Sequence, residues 1–595
     1  MESIQYNQKE AQRMSIGMYR WRNRQIRNQL SVVSDQTSPT IVLKGTTYLN
    51  ARLNKWMKAN IWIVNDRIVY VGEAMPAVLD SSAEVFDCRD QYIVPGYIEP
   101  HVHPFQLYNP HTFAQYAAKH GTTTLINDNL MLMLQVDTET AFSLIEEMKT
   151  LPYSMYWWCR FDSQTKFENE AEIFSHAHIK KWLNHDAVLQ GGELTSWPRL
   201  LNGDDLMLHW IQEAKRLGKH IEGHFPGASE RTLVKMKLLG ADADHEAMSG
   251  KDVLSRLSLG YDVSLRYSSI RPDLPKILDE LHEEDLSYYE HLTMNTDGSP
   301  PSFYTDGVSD MLVKVALEHH VPIIDAYKMV STNIARYYNI EHLHGHIGVG
   351  CIANLNLLAG PESPTPVSVL ASGKWVLKNG EEQKENETYF PWASYQFQPL
   401  DCNWNLKMDD FQFSMPMGVY MKNAVIMEPY SIQLNVGDEC LDTNHDECFF
   451  MLIDRYGKWR INTLLKGFAT HVKGLASSFS STGDFILIGK SKKDMLYAYH
   501  KMKEMGGGIA LAEGEKIVAE LPLTLNGSMS TAKMEVLMTQ EEHLKQELRV
   551  RGYQHEDPIY SLLFFSSTHL PYIRVTPAGI YDVMNKKVLF PSIMR

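Results

Sequence analysis

At 595 residues the chain exceeds what one hydrophobic core usually organises, so two or three domains are expected. Hydrophobic residues make up 44% and charged residues 22%, which excludes a disordered chain, and no apolar run approaches the roughly 20 residues of a membrane-spanning helix. A formal net charge of -15 opposes nucleic acid, because phosphate affinity rests on Lys and Arg; a small-molecule substrate is expected, with no membrane partner.

Residues 1–38 read as an N-terminal extension, and its opening stretch, rich in Gln, Arg and Asn, lacks the pattern of a secretion signal. A β-rich stretch follows. Thr40–Lys44 and Ile61–Gly72 are runs of β-branched and aromatic residues, with Asn65-Asp66 as a hairpin turn. From there short apolar runs alternate with helix-like segments, the signature of βα units and a parallel sheet. The runs are Tyr92–Val102, Gly121–Asp128, Tyr153–Arg160, Ala187–Leu194, His220–Pro226, Ala241–Met248, Asp262–Ser269 and Leu292–Gly298, separated by helical segments such as 204–217 and 229–239. Eight runs predict a TIM-type eight-stranded β/α barrel over 93–339. An open doubly wound sheet would carry a phosphate loop after an early strand, and neither GxGxxG nor GxxxxGK[ST] occurs here.

Helical segments near 306–320 and 322–336 precede a Gly-punctuated return to strand character at His346–Leu358. This return is expected to join 340–380 with 39–92 in one small β-sandwich-like domain formed from segments flanking the barrel. Residues 381–414 read as a connector. A C-terminal α+β domain over 415–595 is expected from strand-like Phe485–Gly489, Ile509–Leu511 and Ile573–Val575 and an amphipathic helix near 536–550.

Candidate polar residues fall at the C-terminal ends of the proposed strands, where barrel enzymes place their sites. His101-Val102-His103 ends the first run, and a spacing of two puts both imidazoles on one side of an extended chain. Glu193, His224, His245 and Asp297 end the fourth, fifth, sixth and eighth runs. Singly, each has a plainer reading as a loop carboxylate, a core or surface histidine, or the Asp-Gly of a turn. Together they form an N/O set suited to a divalent transition metal, with Glu193 able to bridge two cations. A cation so held lowers the pKa of water from ~15.7 to about 7 and supplies hydroxide at neutral pH. Asp297 can then accept a proton and deliver it to the leaving group, so Asp297 and Glu193 are the expected catalytic residues.

Other features read more plainly. Trp157-Trp158 is expected to be barrel packing and Lys492-Lys493 a solvated face. The six cysteines (Cys88, Cys159, Cys351, Cys402, Cys440, Cys448) form no CxxC pair, so no disulfide framework or zinc ribbon is expected and a reducing cytoplasm is. Cys159 lacks an activating partner in sequence.

With Val94-Pro95-Gly96-Tyr97-Ile98-Glu99-Pro100-His101-Val102-His103 and Gly121-Thr122-Thr123-Thr124, the chain resembles the amidohydrolase (metallo-dependent hydrolase) superfamily. Within it, the chain is similar to the adenine deaminase family through Gly223-His224-Phe225-Pro226-Gly227, Asp244-His245-Glu246 and Leu265-Arg266-Tyr267-Ser268-Ser269. Leu521-Pro522-Leu523, Gly527-Ser528-Met529-Ser530, Arg574-Val575-Thr576 and Gly579-Ile580 extend that similarity to about residue 590. The resemblance implies hydrolysis at a carbon–nitrogen bond of a cyclic amidine, adenine to hypoxanthine and ammonia, at a two-metal site of manganese or iron, with zinc also open. It implies ligands His101, His103, Glu193, His224, His245 and Asp297, with Glu193 replacing the carboxylated lysine of other branches. Arg266 and Ser268 would position the purine base, and assembly as a homo-oligomer is left open. The chain departs from the family's pattern at Pro104-Phe105-Gln106-Leu107, at Gly298 in place of a second Asp, and at the serine-rich Ser477–Asp484 in place of a histidine-rich segment. Cyclic amide ring opening, N-deacylation and a non-catalytic scaffold that kept the barrel are the alternatives.

Overall fold

The structure, a computed structural model, describes residues 22–104, 106–166, 169–383 and 389–595, so Phe105, one of the departures above, lies outside the described residues. Its centre is a parallel eight-stranded sheet wound in sequence order. The strands are β1 (Tyr97–Val102), β2 (Thr122–Asp128), β3 (Ser154–Cys159), β4 (Val188–Leu194), β5 (His220–Gly223), β6 (Ala243–Asp244), β7 (Asp262–Arg266) and β8 (Leu292–Asn295). Apart from the first residue of three of them, their residues are buried, as parallel strands covered on both faces require. Between β8 and β1 the Glu99 carboxylate accepts from the Thr296 backbone N–H (3.3 Å) and hydroxyl (3.1 Å), drawing the sheet round into a barrel. Burial pushes Glu99 up to about 8.

All eight expected runs contain a barrel strand, but the first run divides. Tyr92–Pro95 pairs with Ile41–Asn50 and Leu355–Leu358 in a separate nine-stranded sheet, and only Tyr97–Val102 belongs to the barrel. The chain passes between the two sheets at Gly96, where a Cβ would lie 2.2 Å from the Thr123 hydroxyl and 3.0 Å from the Asn354 Cβ. That nine-stranded sheet takes strands from Ile41–Pro95 and Leu355–Glu382, and within it Lys55–Val64 and Arg67–Gly72 form the expected hairpin.

The flanking helices follow from spacing and caps. In Leu274–Glu283 the buried residues Leu274, Ile277, Leu278 and Leu281 repeat at helical intervals. Asp204, Ser229 and Ser249 cap their helices by accepting from the N–H groups of Met207, Thr232 and Asp252. Inside the barrel Ile98, Ile126, Trp158 and Leu189 pack on Ile334 and Tyr338 from the helix Thr332–Tyr337 and its C-cap, which plug its lower end. Trp157 faces the helices and Trp158 the interior, so the pair splits between two cores.

Beyond the barrel, a second nine-stranded sheet runs from Met417 to Pro522 with Ile593–Met594 on its edge, accompanied by helices Lys492–Glu504 and Met534–Val550 and a three-stranded sheet over Ile573–Pro591. Lys492 is buried, its ammonium donating to the carbonyls of Val436 (3.2 Å) and Gly437 (3.3 Å); only Lys493 of that pair is solvated. The expected solvated face fails at Lys492 because its ammonium lies 4.8 Å from the Phe449 ring centroid and finds carbonyls to donate to.

This C-terminal region docks on loops that follow barrel strands. After β1, Ser530 N–H donates to Leu107 O (2.7 Å) and Asn109 to Ser530 O (2.7 Å). After β3, Thr165 donates to Ser566 O (2.5 Å); after β8, Ser302 N–H donates to Glu541 (2.6 Å). Among the described residues no helix is long and apolar enough to cross a membrane.

Candidate active site

The C-terminal ends of the barrel strands bring all six predicted ligand residues together. His101 and His103 arrive from β1 with their Nε2 atoms 3.2 Å apart, and each lies 3.2 Å from the same Asp297 oxygen, Oδ1, delivered by the turn after β8. Glu193, on β4, places Oε1 2.6 Å from His224 Nδ1 and 3.5 Å from His245 Nε2, residues that follow β5 and β6. Trp158 forms the floor, its ring 4.7 Å from His101 and 5.6 Å from His103.

Asp297 and Gly298 both have left-handed backbone, with φ of 44° and 54°. A Cβ on Gly298 would lie 2.4 Å from the His103 Cβ, so the second Asp of the family's pattern would collide with a ligand side chain here. The departure at this position is thus part of the site's packing.

Carboxylates and cations interlock around the ring. Burial pushes the Asp297 carboxyl up, but the Arg266 guanidinium (Nη2 to Oδ2, 2.5 Å) and the two histidines hold it well below the usual range. Burial opposes ionisation of Glu193 too, and Arg160, 2.7 Å from its Oε2, with His224, holds it far down. Arg266 spends its remaining donors on Glu246 (2.7 Å) and on the Ser268 hydroxyl (2.9 Å). Both predicted substrate-positioning residues therefore sit at the site, Arg266 engaged with its carboxylates and Ser268 with Arg266.

Several side chains in contact with the candidate ligands escape a reading of the sequence. Asp128 accepts from His103 Nδ1 (2.9 Å) and from Arg160 (2.7 Å), so Arg160, fully buried, couples the β1 histidine to the β4 carboxylate. Glu222 takes the other nitrogen of His245 at 3.1 Å. Glu246 lies 3.5 Å from both His224 Nδ1 and His245 Nε2. Asp128 and Arg160 close their strand runs just as Glu193 does, and Glu246 follows a ligand directly, so the positional rule that found the ligands would have found them.

The residues fit a divalent cation. Three sets, His101/His103/Asp297, His101/Glu193/His245 and His224/His245/Glu246, each have donor atoms within 4.8 Å of one another, and imidazole with carboxylate suits borderline metals. The carboxylates behind His103 and His245 are the outer partners that fix a ligating imidazole's tautomer. Cys159 is buried, and burial pushes its thiol up, against any nucleophilic use.

The amidohydrolase family pattern matches residues 92–378, and the adenine deaminase C-terminal domain pattern matches residues 424–587. A Halalkalibacterium halodurans protein named "Putative adenine deaminase" is 55% identical over 97% of this chain and 99% of its own length. The Bacillus subtilis "Putative adenine deaminase YerA" is 52% identical over 98% of this chain and 100% of its own. A crystal structure of β-aspartyl dipeptidase from Fervidobacterium islandicum AW-1 is similar at TM-score 0.44 and 16% identity, over 58% of this chain and 98% of that one. Matched over 97% and 98% of its length by the two bacterial relatives, the chain belongs to the adenine deaminase family of amidohydrolases.

Proposed function

We propose that the protein hydrolyses adenine to hypoxanthine and ammonia at a site for two divalent cations, manganese or iron, with zinc as the remaining candidate. The observation that carries this reading is the convergence of His101, His103, Glu193, His224, His245 and Asp297 at the strand ends of a chain whose full-length relatives are named as adenine deaminases. His101, His103 and Asp297 would hold one cation and His224 and His245 the other, with Glu193 between them. When bound, the metals supply Lewis acidity and hydroxide at neutral pH.

The chain's own groups account for the rest. Asp297 is kept ionised by Arg266, so it can take a proton at its carboxylate and pass it to the departing amino nitrogen. Arg160 holds Glu193 Oε2 and leaves Oε1 facing His224 and His245. Asp128 and Glu222 fix the tautomers of His103 and His245, and Arg266 aims the carboxylates of Asp297 and Glu246. Adenine is the only partner the reading requires; a cytoplasmic location fits the six unpaired cysteines.

Asp297→Asn tests the proton acceptor. Turnover of adenine is expected to fall on the order of 10²–10⁴-fold with the metal retained. His101→Ala is expected to lower metal content instead, because it deletes a ligand. Unchanged turnover in Asp297→Asn, or full metal occupancy in His101→Ala, would overturn the respective role.

A further inference from the structure

The C-terminal domain reaches the metal-ligand ring through one short segment, residues 558–569. At one end of it Tyr560 is buried, and its phenol feels the charges of Asp297 and Arg266. At the other end His569 sets its ring edge-on to His224, centroids 6.3 Å apart with the planes at 86°. His569 also feels the charges of His224 and Glu193. Two residues of one segment therefore approach the ring, Tyr560 near Asp297 and Arg266 and His569 beside His224.

His569 has a defined tautomer. Its Nδ1 lies 3.2 Å from the Gln164 carbonyl, which also accepts from its backbone N–H at 3.3 Å. A carbonyl only accepts, so Nδ1 carries the proton, and Nε2 on the far side of the ring holds a lone pair. That nitrogen has no hydrogen-bond partner among the described residues, and the side chain is only half-buried. The anchor itself is tied to the site: Gln164, its side-chain amide turned, lies within 3.2 Å of both terminal nitrogens of Arg160.

We propose that His569 is a substrate-positioning residue, its Nε2 accepting a hydrogen bond from an N–H of the bound base. This rests on the adenine reading above. Adenine offers ring and amino N–H donors, and the carboxylates around the ligand ring are already held by Arg160, Arg266 and Arg271. An imidazole lone pair beside His224 offers an acceptor to the part of the base projecting from the ring. The C-terminal domain is then part of the substrate pocket as well as its cover.

Steady-state kinetics of the full-length, manganese-loaded protein with adenine test this, using His569→Asn and His569→Gln. Asparagine can keep a donor toward the Gln164 carbonyl but has no group at the Nε2 position; glutamine places an amide there. His569→Asn is expected to raise KM roughly tenfold, with kcat and metal content near wild type, and His569→Gln to recover part of the loss. An unchanged KM in His569→Asn would overturn the proposal, as would a loss of metal or of kcat at constant KM, which would make His569 a support for His224. Should His569→Asn not fold, His569→Phe, which keeps a ring but has no lone pair at the Nε2 position, decides instead: a wild-type KM counts against the role, and a raised KM with metal content and kcat kept supports it. A wild-type enzyme that binds manganese and leaves adenine untouched would defeat the adenine reading itself, before any variant is compared.

Discussion

Arg160 and Gly298 show how single residues govern the site. Arg160 is fully buried between Asp128 and Glu193, and removing it leaves two carboxylates without their cation. Arg160→Met is expected to destabilise the protein by about 3–5 kcal/mol and to weaken manganese binding. Denaturant unfolding and calorimetric metal titration check this; a variant as stable and as tight-binding as wild type would contradict the coupling of His103 to Glu193 through Arg160. Gly298→Asp, which restores the family's Asp-Asp, introduces a Cβ 2.4 Å from the His103 Cβ on a backbone with φ of 54°. Metal content per chain is expected to fall, because His103 must move. Full occupancy would mean that the turn can relax without its ligand.

The barrel was legible in the sequence because parallel strands buried on both faces read as unbroken apolar runs, and each of the eight runs contains one barrel strand. The polar residue near the end of a run, as at Glu193 or His245, marked the face where the candidate ligands converge. Apolar pattern does not encode where a run changes sheet, so the passage at Gly96, a matter of contact with Thr123 and Asn354, could not be read. The burial of Lys492 is hidden from the sequence for a related reason, since its carbonyl partners lie more than fifty positions away in the chain. The serine-rich link between strands Gly474–Ser477 and Phe485–Gly489 carries a testable element of its own. Burial pushes Asp484 up to about 7 against the lowering hydrogen bond from Thr482. Below an unfolded pKa near 3.9 both states are protonated and the group is neutral to stability; as pH rises to about 7 the folded state holds the extra proton, so stability falls, and above that the full penalty remains. Asp484→Asn is therefore expected to stabilise the protein at pH about 8 and much less at pH about 4, by on the order of 2–4 kcal/mol between those limits. Melting curves at the two pH values check it, and an equal effect at both would contradict the buried-acid account.

On the scale of the whole molecule, the C-terminal domain docks on loops after β1, β3 and β8, over the face where the ligands converge. Neither this docking nor the approach of Tyr560 and His569 could be read from the sequence, because each contact joins residues hundreds of positions apart. The most direct test of the account is a manganese titration of metal-free protein supplied with adenine, following hypoxanthine and ammonia together. The account predicts equimolar products at a rate that rises with metal and saturates near two equivalents per chain. Manganese bound at that stoichiometry with no hypoxanthine formed would contradict it.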